Sequence, residues 1–255
     1  MAWQIRRLRR HELLPGHPGF YIYRTVEPPG GAGSAGVPPL SLVVLGDSTA
    51  AGVGVGAPEE SLPSRLAERI AADHSRAVRV LSYGWAGARV DDLVRDQLVR
   101  AQRPLRPEVA GSRPPLPDAD IVAVSIGSND VIHGTSPTRF RRAMRDVLGT
   151  LRAAAPAAEV VIAGIPRFRG VLPQYEPLIT IGDLFGGVLR RIQRREAAAA
   201  GVAYADLARD VIGQLDPATA SLAADAFHPG PEIYRAWAAV IADALAARRA
   251  RDASR

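Results

Sequence analysis

The chain has 255 residues, with 32 basic and 26 acidic side chains for a formal net charge of +6, and 47% of it is hydrophobic. That is the size and composition of one α/β domain, with a core large enough to need no covalent staples. Cysteine and lysine are both absent, every basic side chain being arginine, which excludes disulfides, thiolate metal sites, cysteine nucleophiles, Schiff bases and the phosphate-binding P-loop lysine.

Residues 1–39 read as an N-terminal extension and a Pro/Gly-rich connection. They hold a basic start, an aromatic run Phe20-Tyr21-Ile22-Tyr23 expected to pack on the main domain, and a Pro, Gly, Ala and Ser stretch over 28–39. His11, Glu12, Pro15, Gly16 and His17 interrupt any signal-peptide core, and no apolar run is long enough to span a bilayer. A cytoplasmic protein without an integral membrane segment is the expectation.

From residue 40 to about 250 one domain is expected. Short runs rich in Val and Ile lie at Ser41–Leu45, Val78–Ser82, Ile121–Ile126, Val160–Ala163 and Val202–Tyr204. They lack polar alternation, as parallel strands buried on both faces do. Helical stretches fall between and after them, at 59–74, 89–103, 137–154, 183–200 and 231–248, with Pro58-Glu59-Glu60 and Ser136-Pro137 as start signals. The pattern predicts a three-layer α/β/α sandwich on a five-stranded parallel sheet, its active site at the C-terminal strand ends. Residues 104–118 read as a proline-rich surface loop.

The first strand runs into Gly46-Asp47-Ser48-Thr49-Ala50-Ala51-Gly52-Val53-Gly54-Val55-Gly56. A glycine-rich turn there can cradle phosphate, present a nucleophile, or simply join strand to helix with Ser48 as a cap. The other strand ends weigh against a plain turn. The second gives Ser82-Tyr83-Gly84-Trp85-Ala86-Gly87-Ala88-Arg89, the third Ile126-Gly127-Ser128-Asn129-Asp130, and near the C-terminus stands Asp225-Ala226-Phe227-His228-Pro229.

In these four blocks, in this order, the chain resembles the SGNH/GDSL hydrolase family of lipases, acylhydrolases and esterases. The resemblance spans residues 41 to about 245 and implies the flavodoxin-like fold of that family. Block one, Gly46-Asp47-Ser48-Thr49, carries threonine where the name-giving motif has leucine, and it gives Ser48 the nucleophile role. Asp225 and His228 inherit the triad acid and base. The Ser48 and Gly87 N–H groups and the Asn129 side chain inherit the oxyanion hole. Gly84, three residues before Gly87, is the alternative backbone donor.

The chemistry needs these residue types. A serine hydroxyl becomes a nucleophile when an imidazole accepts its proton, a carboxylate orients the imidazole, and neutral donors stabilise the oxyanion. A serine esterase acting through an acyl-enzyme on a small-molecule ester is therefore expected, with no metal or organic cofactor. The rivals are an acyltransferase using the same triad and a non-catalytic, arginine-rich binding protein on a hydrolase scaffold.

Asp47 reads as structural, bonding turn amides, and Arg89 as the start of a helix. His133 either lines the cleft or sits on a solvated loop. Phe168, Val171 and Leu172, in the stretch 166–182, are candidates for contact with the acyl group. His11, His17, His74, His133 and His228 stand singly rather than at metal-ligand spacing. The clusters Arg6, Arg7, Arg9, Arg10 and Arg190, Arg191, Arg194, Arg195 could meet an acidic partner, but a solvated surface and no nucleic-acid partner are expected.

Overall fold

A computed structural model describes residues 19–31, 36–106, 108, 111–168, 177–211, 215 and 221–254. The Arg6, Arg7, Arg9, Arg10 cluster, His11, His17, Val171 and Leu172 lie outside them. The strands are β1 (Tyr23–Val26), β2 (Leu40–Gly46), β3 (Val78–Ser82), β4 (Ile121–Ser125), β5 (Glu159–Ala163) and β6 (Ala203–Ala205). The helices are α1 (Leu62–His74), α2 (Val90–Asp92 and Leu98–Ala101 joined through the π turn Leu93–Gln97), α3 (Ser128–His133), α4 (Pro137–Ala154), α5 (Leu178–Ala200), α6 (Leu207–Asp210) and α7 (Pro231–Ala253).

The sheet runs in the order β1-β3-β2-β4-β5-β6. Five of its strands, β3, β2, β4, β5 and β6, are parallel, as expected, but the sheet is six-stranded and mixed rather than five-stranded and parallel. β1 adds to the edge antiparallel to β3, with Tyr23 opposite Leu81 and Val26 opposite Val78. Only four residues long, it leaves Tyr23 and Thr25 to solvent and buries Val26, so it lacks the continuous apolar run that marks the other strands.

The central strands are buried on both faces, which is why they read as unbroken hydrophobic runs. On one face Leu42, Val44, Val78, Val80 and Val161 pack against Leu62, Leu66 and Ile70 of α1 and Tyr234, Trp237 and Ile241 of α7. On the other, Val43, Leu45, Val122, Val124 and Ile162 meet Leu93 and Leu98 of α2, Phe140, Met144 and Val147 of α4, and Leu189 and Ile192 of α5.

Serine caps set two of the helix starts. Ser136 accepts from the Arg139 N–H, with Pro137 in the first turn. Pro58–Glu60 forms a separate 3₁₀ turn, and α1 begins after Ser61, whose side chain accepts from the Ser64 N–H.

α1 follows β2 into β3 on one side of β2, whereas β4 lies on its other side. The strand order therefore reverses between β2 and β4, and the crevice at their C-terminal ends is where ligands bind in open α/β sheets. The two turns that leave this point carry Ser48 and Asn129.

Candidate active site

The turn after β2 is built around Asp47, which is buried and accepts the Thr49 N–H at 3.0 Å and the Thr49 hydroxyl at 2.9 Å. The same hydroxyl pairs with Ser125 Oγ of β4 at 2.7 Å. Burial, opposed by the Thr49 hydrogen bonds and aided by the nearby Asp130 charge, pushes the Asp47 carboxyl up to about 6. Asp47 thus bonds the Thr49 amide of its own turn, in the structural role the sequence suggested. The Ser48 carbonyl accepts from the Val53 N–H at 2.9 Å, and among the described residues the Ser48 N–H has no partner.

Glycine at position 54 answers one of the readings of the glycine-rich turn. Gly54 has φ +103°, and a Cβ there would lie 2.5 Å from the Pro229 carbonyl and 3.0 Å from the His228 Cβ. The missing side chain lets the His228 loop lie directly on the Ser48 turn, a close-approach role rather than a phosphate cradle.

After β3, the Gly84 N–H is taken by Ser82 Oγ at 3.2 Å. The Gly87 N–H has no partner among the described residues. Asn129 opens α3 in a buried position and donates one amide hydrogen to the Ala88 carbonyl at 3.0 Å. This ties the turn after β4 to the loop that carries Gly87 and leaves the second Asn129 amide hydrogen available.

Asp130, next along, accepts the Val90 N–H at 3.0 Å and so holds the start of α2; burial pushes its carboxyl up to about 6. Arg89 directly precedes that helix, its N–H bonded to Asp92 at 2.8 Å. His133, at the end of α3, turns Nδ1 to the Asn129 carbonyl at 2.9 Å.

The His228 loop precedes α7. Asp225 Oδ2 meets His228 Nδ1 at 2.5 Å, while Oδ1 accepts the N–H groups of Phe227 and His228 at 3.0 and 2.9 Å. A carboxylate only accepts, so Nδ1 carries the proton and Nε2 is left as the basic nitrogen. Burial alone would raise the Asp225 carboxyl, but the His228 ring and these two backbone donors hold it below the ordinary carboxylate value. Ala226 between them adopts φ +54°, a left-handed conformation uncommon outside glycine, and one of the features that mark functional loops. The Ala223 N–H donates to the His228 carbonyl at 2.8 Å, closing the loop on itself.

Ser48, Asn129 and His228 line one pocket of about 170 Å³. Gly87 and Asp225 are not on its described wall, and Asp225 stands behind His228. The rest of the wall is mostly apolar: Phe168 from the loop after β5, Leu207, Ala208 and Val211 from the α6 region, and Ile233 and Trp237 from α7. Of the candidate acyl contacts, Phe168 is present.

Sequence reading missed α6 and α7 as walls, because four-residue α6 has no detectable period and Trp237 reads as plain core. It also missed two buried glutamines. Gln97 bonds both the N–H and the carbonyl of Gly46, and Gln193 bridges the Ile126 carbonyl of the β4 end to the Ile165 N–H of the β5 end.

Two of the four arginines in the second cluster are engaged within the protein, Arg190 with Asp183 and the Pro166 carbonyl, and Arg194 with Asp206. Among the described residues no helix is long and apolar enough to cross a membrane.

Solved structures share this architecture. TesA is 18% identical over 81% of this chain and 98% of its own, with a TM-score of 0.58. Phospholipase A1 from Streptomyces albidoflavus NA297 is 21% identical over 79% of this chain and 98% of its own, at 0.55. Axe2, an acetylxylan esterase from Geobacillus stearothermophilus, is 17% identical over 80% and 93%, at 0.54. At such identities the likeness is one of fold. No curated protein matches the sequence. The family is shown by a sequence model that covers both the Ser48 turn and the His228 loop: matching it over residues 44–236, the chain belongs to the GDSL-like lipase/acylhydrolase family.

Proposed function

We propose that this acylhydrolase-family protein is a serine esterase that cleaves carboxylic esters through an acyl-enzyme on Ser48. The observation that carries the reading is the shared pocket: Ser48, Asn129 and His228 face one cavity, and Asp225 backs the imidazole at 2.5 Å.

Ser48 Oγ attacks the ester carbonyl as His228 Nε2 takes its proton. Asp225 keeps Nδ1 protonated and offsets the charge that forms on the ring. The oxyanion is met by the Ser48 N–H, the Gly87 N–H and the second Asn129 amide hydrogen, neutral donors with no other partner among the described residues. Gly87 rather than Gly84 takes this role, because the Gly84 N–H is already spent on Ser82. Collapse expels the alcohol, which receives the proton from His228, and water repeats the cycle to release the acid.

The apolar wall suits an uncharged acyl group. A volume of about 170 Å³ is similar to that of apolar cavities that take up benzene, a size that suits a short acyl chain. Lipases, a phospholipase A1 and an acetylxylan esterase among the similar structures act on esters, in line with this reading.

The test is turnover of p-nitrophenyl esters by wild type and Ser48→Ala. Wild type should hydrolyse them, and Ser48→Ala should lose almost all turnover with an unchanged circular dichroism spectrum. A folded Ser48→Ala protein with wild-type rates ends the proposal.

A further inference from the structure

The turn that carries Ser48 begins where the sheet has run out on one side. The last regular bond from the β3 segment to β2 runs from the Tyr83 N–H to the Val44 carbonyl at 2.9 Å. Gly46, two residues on, presents its N–H and carbonyl in the same direction, since alternate residues of a strand face the same neighbour. There the β3 chain turns away. The Gly84 N–H goes to Ser82, and a single bond of 3.4 Å, from the Trp85 N–H, reaches the Gly46 carbonyl. Among the described residues the Gly46 N–H has no backbone partner, and a buried peptide group must then find one elsewhere.

Gln97 supplies what the missing strand does not. Its Oε1 accepts the Gly46 N–H at 2.8 Å, its Nε2 donates to the Gly46 carbonyl at 2.7 Å, and the side chain is fully buried. A primary amide offers a carbonyl and an N–H together, as a neighbouring strand would.

The helix is altered at this place. In the middle of α2 the Leu98 N–H bonds the Leu93 carbonyl, five residues back, so that Gln97 ends a π turn, a feature that recurs at functional sites. On the opposite side, a Cβ on Gly46 would stand 1.9 Å from the Ser125 carbonyl, so β4 closes the other flank of the same peptide. Gln97 and β4 therefore grip the last residue of β2 from both sides, one peptide before Asp47 and Ser48.

We infer that Gln97 is a positioning residue, whose amide stands in for an absent strand and fixes the direction in which the Ser48 turn leaves the sheet. The inference rests on the reading of Ser48 as nucleophile. It predicts that losing the amide misaims the hydroxyl while the pocket that binds the substrate survives. A misplacement of about 1 Å in a reacting group costs on the order of 10²-fold in rate.

The experiment follows the rate at which a fluorophosphonate modifies the purified protein, with the adduct located by peptide mass spectrometry, beside kcat and KM on one activated ester. Gln97→Leu keeps the bulk and removes both hydrogen bonds. It should label Ser48 about 10²-fold more slowly than wild type and lower kcat to a similar extent with little change in KM.

Gln97→Glu is isosteric and carries the test should the leucine variant not fold. Protonated, the carboxyl can accept from the Gly46 N–H and donate to its carbonyl; ionised, it can only accept. The ratio of its labelling rate to that of wild type should therefore approach one in acid and fall as pH rises through the carboxyl's titration, which burial moves upward. Taking the ratio cancels the titration of His228, Asp47 and Asp130, which both proteins share. Equal labelling by Gln97→Leu and wild type, or a ratio for Gln97→Glu that is flat with pH, overturns the positioning role while leaving Ser48 as nucleophile. A wild-type protein that gains no adduct on Ser48 instead removes the nucleophile reading, and the inference with it.

Discussion

Asn129 has one observed duty and one proposed, which a substitution can separate. One amide hydrogen holds the Ala88 carbonyl and the other is assigned to the oxyanion. Asn129→Ala should lower kcat about 10²–10³-fold with a smaller effect on KM, because charge develops on the oxyanion only in the transition state. It should also lower the thermal midpoint modestly through the orphaned carbonyl. Steady-state kinetics and a melting curve measure the two effects, and a change confined to KM would make Asn129 a binding residue.

Asp47 gives the opposite kind of prediction. Its carboxyl stands at about 6 in the folded protein against an ordinary value of 3.8, so the native state holds a proton that the unfolded chain releases. Stability therefore falls as pH rises between those values, and above about pH 6 the folded protein carries the whole penalty, of order 3 kcal/mol. Asp47→Asn keeps the acceptor for Thr49 and removes the charge. Its melting temperature relative to wild type should be higher at pH 8 than at pH 4; a pH-independent difference would show that Asp47 ionises as freely folded as unfolded.

At the scale of elements, the decisive contact is between the Ser48 turn and the His228 loop, which meet across Gly54. Gly54→Ala must move the Pro229 carbonyl or twist a backbone whose φ is +103°. The variant should lose about 1–3 kcal/mol of stability. It should also lose more kcat than a surface Gly→Ala control such as Gly149→Ala, because the displaced loop carries His228, the proposed base. Equal activity in the two variants would detach the glycine from the site.

These contacts also mark how far the sequence was legible. The parallel strands announced themselves because burial on both faces leaves no polar alternation. The residues of the Ser48, Asn129 and His228 blocks are local to single turns, so they too could be read from order and spacing. Gln97, Gln193, Gly54 and the α6 wall act on partners distant in the chain, and nothing within their own segments signals it. β1 is short and half exposed, and its aromatic run reads equally well as a packed extension.

Across the whole molecule, the apolar pocket draws on the sheet ends, the loop after β5, α6 and α7, so its depth depends on how α6 is filled. Ala208 lines it and is buried. Ala208→Leu should shorten the accepted chain, lowering kcat/KM for hexanoate relative to acetate esters by about 10-fold or more, the scale of discrimination that one or two methylenes give in a pocket. A chain-length series measures it, and an unaltered profile would take α6 out of the acyl site.

His228 sits just ahead of α7, which lies along α1 and the β5–β6 side of the sheet. Every strand of the sheet is made before it. On the ribosome the Ser48 turn is made well before α7, and the face of the sheet that Tyr234, Trp237 and Ile241 cover waits for that helix, since a domain folds as a unit. His228, the proposed base, arrives late, and the loop that sets it against Gly54 runs straight into the helix that follows. On the proposed roles, a nascent chain carries Ser48 for most of its synthesis without the imidazole that would activate it, because His228 and the helix behind it are the last large piece of the domain to be made.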